Sequence, residues 1–89
     1  MIEQMICVNN KEGLHARPAA ILIKEANRYK STIEIEFNGR VVSSKSIISL
    51  MTLKVKQGET VKLYIYGEDE VEAAASILSL FENNFGEKE

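Results

Sequence analysis

One short stretch of the chain combines residue types that could bind an anionic group and react with it. Residues 11–20 read KEGLHARPAA and contain the single histidine, His15, and the single proline, Pro18. Because proline has no amide hydrogen, a helix tolerates it only in the first turn. We therefore expect a helix to begin at about Ala16, with His15 at or near its N-cap. Gly13 would supply backbone freedom in the loop before it.

The start of this helix is suited to a negatively charged group. Unpaired N–H groups and the positive end of the macrodipole lie at a helix N-terminus, and Arg17 adds a guanidinium that matches phosphate oxygens. If the imidazole of His15 took up a phosphoryl group, these groups would hold its charge. Each helix-end interaction is worth about 0.3–1 kcal/mol when exposed, which favours a phosphohistidine without trapping it. The alternative is a plain surface histidine.

Length and composition narrow the class of protein. The 89 residues predict one domain, and 45% hydrophobic with 27% charged residues is ordinary globular composition. A net charge of −2 argues against general nucleic-acid binding. The single cysteine, Cys7, excludes an intrachain disulfide, which fits a cytoplasmic protein, and we expect it to be an inert, buried strand residue. We expect no signal peptide and no membrane insertion, because the N-terminus lacks a basic start and no apolar run is long enough.

The hydrophobic pattern predicts four strands and three helices, and hence an α+β two-layer sandwich. Alternation or apolar content predicts the strands Met1–Val8, Thr32–Phe37, Arg40–Ser43 and Thr60–Tyr66. Helical spacing predicts the helices Ala16–Tyr29, Ile47 to about Leu53, and Val71–Phe85, before a frayed tail at 86–89. Asn38-Gly39 predicts a two-residue type I′ turn.

The same pattern predicts which side chains face the core. The stripe of the first helix is Ala19, Leu22, Ile23 and Ala26, and that of the last helix is Val71, Ala74, Ala75, Leu78, Phe81 and Phe85. Asp69 and Glu72 have the spacing of a capping box. Tyr64 and Tyr66 are expected on the uncovered face of the sheet, and a platform for single-stranded nucleic acid is disfavoured by the acidic balance.

The short second helix has more apolar surface than one side can bury. Leu50 and Leu53 are expected to face the core. Ile47, Ile48 and Met51 are then partly exposed near the His15 loop, where they would form a docking surface. Ser46 has the residue type and position of an N-cap for this helix.

Two stretches resemble one known family. The residues GLHARPA at 13–19 resemble the active-site signature of HPr, the histidine-containing phosphocarrier of the bacterial phosphoenolpyruvate–sugar phosphotransferase system. The residues KSIISLM at 45–51 resemble the regulatory-serine segment of the Gram-positive type. The resemblance extends over essentially the whole chain in length and element order. One departure is Ser49, where a glycine is common, and it bears on the kinase and repressor contacts.

This resemblance implies a fold and a phosphoryl relay. The fold would be an open-faced sandwich, with a four-stranded antiparallel sheet and three helices on one face. Enzyme I would donate to His15, at the ring nitrogen facing the helix end, and His15 would pass the group to enzyme II A components. Arg17 would hold the phosphoryl oxygens, and an ATP-dependent HPr kinase/phosphorylase would modify Ser46 for binding to a catabolite repressor. The docking residues would be Leu14, Ala16, Ala20, Ile47, Ile48 and Met51.

Other interpretations stay open. The chain could be a mainly regulatory paralogue acting through phospho-Ser46 in catabolite repression, or a specialised paralogue of a nitrogen branch. Retention of His15 favours transport competence. An enzyme with His15 as general base is disfavoured, because no second acid, nucleophile or metal-ligand cluster accompanies it. We expect a covalent carrier with no cofactor or metal, no nucleic-acid partner and a monomeric state.

Overall fold

The structure is a computed structural model that describes residues 1–87, and it contains the predicted elements in the predicted order. The strands are β1 (Ile2–Cys7), β2 (Thr32–Phe37), β3 (Arg40–Ser43) and β4 (Thr60–Tyr66). The helices are α1 (Ala16–Ala26), α2 (Ile47–Thr52) and α3 (Glu70–Glu82), followed by a short 3₁₀ turn at Asn84–Gly86. Among these residues no helix is long and apolar enough to cross a membrane.

The four strands form one antiparallel sheet in the order β1-β4-β2-β3. β4 is central, so Ile65 lies between Ile2 on one side and Ile33 on the other. Alternate residues of β2 and β4 are buried beneath the helices, namely Ile33, Ile35, Val61, Leu63 and Ile65. On the uncovered face, Tyr64 and Tyr66 donate hydrogen bonds to Glu36 and Glu34. The expected open-faced α+β sandwich is confirmed.

The turn between β2 and β3 is as predicted. Asn38 and Gly39 have φ angles of +51° and +78°, and a type I′ turn requires positive φ at both central positions. Phe37 pairs with Arg40 directly across it. The turn therefore sets the register of the hairpin.

Two helices differ from the prediction in their limits. α1 ends at Ala26 rather than Tyr29, because Arg28 and Tyr29 donate to carbonyls only three residues back. α3 ends at Glu82 rather than Phe85, since Asn84 and Phe85 take left-handed φ angles of +52° and +54°. The expected frayed tail at 86–89 is wrong for Gly86 and Glu87, which make hydrogen bonds, and its last two residues lie outside the described residues.

The predicted core stripe of α3 is partly wrong. Ala74 and Phe81 are buried as expected, as is Phe85 beyond the helix, but Val71 is 69% exposed and Ala75 is also exposed. Ala73 and Ile77 are buried in their place, and Leu78 packs only partly against the core. Neighbouring apolar positions allow two rotations of this helix, and packing against the sheet selects one.

Cys7 lies in β1 as predicted, but its side chain is exposed rather than buried. β1 is an edge strand, and Cys7 has the same parity as Met5, which lies with Tyr64 and Glu36 on the uncovered face. The thiol donates weakly to Asn9 Oδ1 at 3.3 Å. The alternation of β1 thus directs Ile2 and Ile6, not Cys7, towards the core.

The capping-box prediction for Asp69 is wrong. Asp69 is the N-cap residue of α3, but its side chain makes no capping hydrogen bond. The carboxylate instead accepts from Lys30 N at 2.9 Å, Ser31 N at 2.9 Å and Ser31 Oγ at 2.5 Å. It therefore joins the loop before α3 to the loop before β2, and these bonds, that from the Ser31 hydroxyl first, lower the pKa of Asp69 below its ordinary 3.8.

This network predicts a pH-dependent effect of Asp69→Asn. A carboxylate with a lowered folded pKa stabilises the protein above its unfolded pKa, and the contribution is lost as pH falls through the folded pKa. We expect the variant to melt several degrees below the parent at pH 7, with the difference shrinking below about pH 4. Thermal melts across pH test this, with the exposed Glu68→Gln as the control. A difference that persists undiminished into strong acid would contradict the assignment.

Candidate functional site

His15 lies where the sequence predicts, at the N-cap of α1. Its backbone is extended, with φ −120° and ψ 156°, and its side chain makes no capping hydrogen bond. The residue is exposed. The imidazole is therefore presented to solvent at the helix end instead of serving as a cap.

The loop before His15 is held by backbone contacts that require a glycine. Gly13 has φ +63°, its N–H donates to Asn10 O at 3.2 Å, and the next amide, of Leu14, donates to Val55 O at 3.1 Å. A Cβ at position 13 would lie 2.1 Å from Val55 O. No other residue fits without moving the backbone that carries the histidine.

Leu14 does not belong to the predicted docking surface. Its side chain is 1% exposed and lies in the hydrophobic core. A side chain in a loop between a strand and a helix can point to the core or to solvent. Leu14 points to the core and anchors the loop there. His15, the next residue, points outward as a consequence.

Ala16 has an unusual backbone that the sequence did not reveal. Its φ is +43° although it is alanine, and left-handed backbone at such a residue costs about 1–2 kcal/mol. Strain of this kind persists only where the surroundings determine it. Here Leu14 before it and Pro18 after it are both buried, so they hold the chain on either side of Ala16.

Three of the predicted site residues line two adjacent clefts. His15 lies in a cleft with Met51 and Val55, together with Lys54 and Lys56. Arg17 lies in another, lined also by Lys11, Phe85, Gly86 and Glu87. Glu12 lines both clefts and so marks their shared border.

Three of these cleft residues had no distinguishing signal in the sequence. Lys54 and Lys56 follow α2 and reach the histidine only through the fold, and they give its cleft two positive charges. Glu87 lies at the far end of the chain, beside the cleft of Arg17. Ordinary surface-type residues outside a motif are not selected by sequence patterns alone.

Ser46 caps α2, as predicted. Its Oγ accepts from Ser49 N at 3.4 Å, and the two hydroxyls lie 3.0 Å apart. Ser49, the position that departs from the pattern, is thus the residue that contacts the Ser46 hydroxyl. Lys45 ties the segment to the turn that follows α1 by donating to Tyr29 O at 2.8 Å. Ser46 lines neither of the two clefts described above.

The remaining predicted docking residues are accessible. Ile48 is 74% exposed and Ile47 is 42% exposed, while Met51 is half-buried beside the histidine cleft. Leu50 and Leu53 are buried, as expected. On the neighbouring helix, Ala16 and Ala20 are exposed.

Comparison with known proteins agrees with this geometry. Residues 2–83 match the model of the PTS HPr component phosphorylation site. Phosphocarrier protein HPr of Cupriavidus necator is 42% identical over 89 residues, covering 100% of both chains. HPr-like protein Crh of Halalkalibacterium halodurans is 44% identical over 82 residues, covering 92% of this chain and 98% of that protein.

Solved structures give the same result. The structure of HPr-C-His from Thermoanaerobacter tengcongensis superposes with a TM-score of 0.96 at 44% identity and covers 100% of both chains. The Crh structure from Bacillus subtilis, described as a domain-swapped dimer, has a TM-score of 0.75 at 42% identity, covering 94% of this chain and 97% of that one.

These matches place the chain in a class of small phosphocarrier proteins rather than classical enzymes. The chain belongs to the HPr family of phosphocarrier proteins of the phosphotransferase system. The family also includes the catabolite-repression relatives named Crh, found at similar identity.

Proposed function

We propose that His15 is the phosphoryl acceptor of a relay from phospho-enzyme I to enzyme II A components in sugar uptake. The observation that carries the proposal is the exposed imidazole at the N-cap of α1, which makes no capping bond. An imidazole occupied by a structural hydrogen bond would be a poor nucleophile, whereas this one is available.

The chemistry is a displacement at phosphorus. A ring nitrogen of His15 forms a bond to phosphorus as the bond between phosphorus and the donor breaks, and the reverse process delivers the group to the next protein. The unpaired N–H groups at the start of α1 would stabilise the charge on the phosphoryl oxygens. Arg17 in the adjacent cleft, with Lys54 and Lys56 beside the histidine, would add positive charge.

Docking would use the exposed apolar side chains of α2 and the small side chains of α1. Ile47, Ile48 and Met51 provide apolar surface, and Ala16 and Ala20 allow close approach. We propose that the chain is one cytoplasmic phosphocarrier domain and acts as a monomer, because each partner must reach His15 in turn. Dimers exist among similar structures, so the solution mass should be measured on the same sample.

Ser46 is proposed as a regulatory phosphorylation site. A phosphate there would add close to two negative charges at the start of α2, beside the docking residues Ile47 and Ile48. It would disturb docking of enzyme I and offer a charged feature to a catabolite repressor. The Ser49 hydroxyl would need to release Ser46 Oγ before an HPr kinase could modify it.

Intact-mass spectrometry tests the two roles together. Incubation with enzyme I and phosphoenolpyruvate should add one acid-labile phosphoryl group, and incubation with HPr kinase and ATP should add one acid-stable group that Ser46→Ala lacks. Absence of the acid-labile group, with an enzyme I proven active on another HPr, would contradict the carrier function.

A mainly regulatory role is the second candidate. It is supported by the similarity to Crh proteins, one of which is described as the catabolite repression HPr of Bacillus subtilis. ATP-dependent labelling of Ser46 without any transfer to His15 would favour this role over the relay.

The docking surface predicts a large kinetic effect of Ile48→Asp. Placing a charge on a side chain that is 74% exposed should leave folding almost unchanged, but removing a central apolar contact costs about 1–3 kcal/mol of binding. We expect the KM for this protein in the enzyme I reaction to rise about tenfold to a hundredfold. Val71→Asp, on α3 and 69% exposed, is the matched control and should leave the KM unchanged. Equal effects of the two substitutions would exclude α2 from the docking surface.

A further inference from the structure

The end of the described chain returns to the loop that carries His15. Glu87 Oε1 accepts from Lys11 N at 2.9 Å, and Glu87 Oε2 accepts from Asn10 Nδ2 at 2.7 Å. The donors lie 76 and 77 residues away in sequence. One carboxylate thus binds two consecutive residues of the loop through both of its oxygens.

The backbone before Glu87 is bent in a way that directs it to this contact. Asn84, Phe85 and Gly86 have φ angles of +52°, +54° and +75°, three left-handed residues in succession. Such backbone is costly for the two residues that are not glycine. It is held in place because Phe85 is buried and packs edge-to-face on Phe81, with ring centroids 4.9 Å apart.

The hydrogen bonds of Glu87 reach the loop that carries His15, residues 8–15, which we call the acceptor loop. Asn10 is 3% exposed, and its Nδ2 also donates to Gly13 O at 2.8 Å. Gly13 N in turn donates to Asn10 O at 3.2 Å. The amide of Asn10 therefore uses both hydrogens, one for Glu87 and one for the glycine two residues before His15, so the carboxylate and the turn at Gly13 share one fixed group.

We propose that Glu87 is a positioning residue for the acceptor loop. Its carboxylate fixes residues 10–13 and, through them, the imidazole of His15. The inference rests on the proposed function of His15 as acceptor. Glu87 does not touch the reacting group in this scheme. A carboxylate suits the task because it can accept both hydrogen bonds at once, and charge-assisted bonds are stronger than neutral ones. On this proposal, the role of the costly left-handed turn at residues 84–86 is to place Glu87 against the loop.

Glu87→Ala tests the proposal by two measurements. Hydrogen exchange followed by NMR should show the Lys11 amide losing protection by about tenfold, while amides of β4 are unchanged. The single-turnover rate of transfer from phospho-enzyme I at saturation should fall about threefold to tenfold, because small misplacements of a reacting group are costly. The KM should stay within about twofold, since the docking residues of α2 are not involved.

Two further variants test whether the effect comes from the hydrogen bonds of the Glu87 carboxylate or from the change in net charge. Glu87→Gln keeps one accepting oxygen and should give intermediate values for both measurements. Glu72→Ala removes an exposed carboxylate of α3 and controls for the change in net charge; it should match the parent. A KM-only effect would indicate loss of docking and would overturn the proposal.

The outcomes separate this inference from the proposed function. A parent protein that accepts no phosphoryl group at all would overturn both. Normal transfer by the parent, with an unchanged or faster rate in Glu87→Ala, would overturn the positioning role alone. Unchanged protection of the Lys11 amide in Glu87→Ala would show that the carboxylate does not fix the loop.

Discussion

Replacing His15 by alanine should abolish phosphoryl acceptance while leaving the fold intact. The side chain is exposed and makes no capping hydrogen bond, so its removal takes away no hydrogen bond that holds the start of α1. We expect the free energy of unfolding to change by no more than about 0.5 kcal/mol, as at other surface positions. Enzyme I and phosphoenolpyruvate should then add no acid-labile group in an intact-mass measurement.

A companion substitution separates the acceptor from its surroundings. Arg17→Lys keeps the positive charge but loses the planar fork that matches phosphate oxygens, so transfer should slow without disappearing. Stoichiometric acid-labile labelling of His15→Ala would place the acceptor elsewhere. A large drop in its melting temperature would instead show that the histidine has a structural role.

Substituting Gly13 by alanine should damage both stability and transfer. The new Cβ would lie 2.1 Å from Val55 O, and the φ of +63° is unfavourable for any L residue with a side chain. Left-handed backbone and forced displacement together should lower the free energy of unfolding by about 2–5 kcal/mol. Denaturant melts measure this loss, and single-turnover transfer by the folded fraction should fall at least about tenfold, because the loop carrying His15 must move.

Gly39→Ala is the matched control for this prediction. Gly39 has a similar φ of +78°, but a Cβ added there would meet no atom within 4 Å beyond its own chain neighbours. Its substitution should therefore cost only about 1–2 kcal/mol and leave transfer unchanged. If Gly13→Ala and Gly39→Ala lowered the free energy of unfolding by the same amount, the requirement for glycine at position 13 would not come from the contact with Val55 O.

Local signals accounted for the elements and for the position of His15. Pro18 located the start of α1, Asn38-Gly39 located the hairpin turn, and Ser46 located the cap of α2. Each signal depends on the conformational or hydrogen-bonding preference of one or two residues, which acts over a single turn. These predictions are confirmed because no distant contact opposes them.

Contacts between segments that are distant in sequence could not be predicted from local patterns. Asp69 has the spacing of a capping box, yet it bonds a loop 38 residues away in sequence, at Ser31. The carboxylate has more to gain from three donors there than from one backbone amide of α3. Similarly, adjacent apolar residues in α3 left its rotation open, and the sheet surface selected Ala73 and Ile77.

By itself, the sequence determined the order of the elements, the loop-to-helix junction that bears His15, and the family resemblance from which we predict roles for Arg17 and Ser46. Only the tertiary structure decided that Leu14 is buried, that Ala16 is left-handed, and that Lys54 and Lys56 line the cleft of His15. It also brought Glu87 to the loop that carries His15. The physical reason is range: residue preferences act over a few positions, whereas burial and hydrogen bonding between distant segments depend on how the whole chain packs.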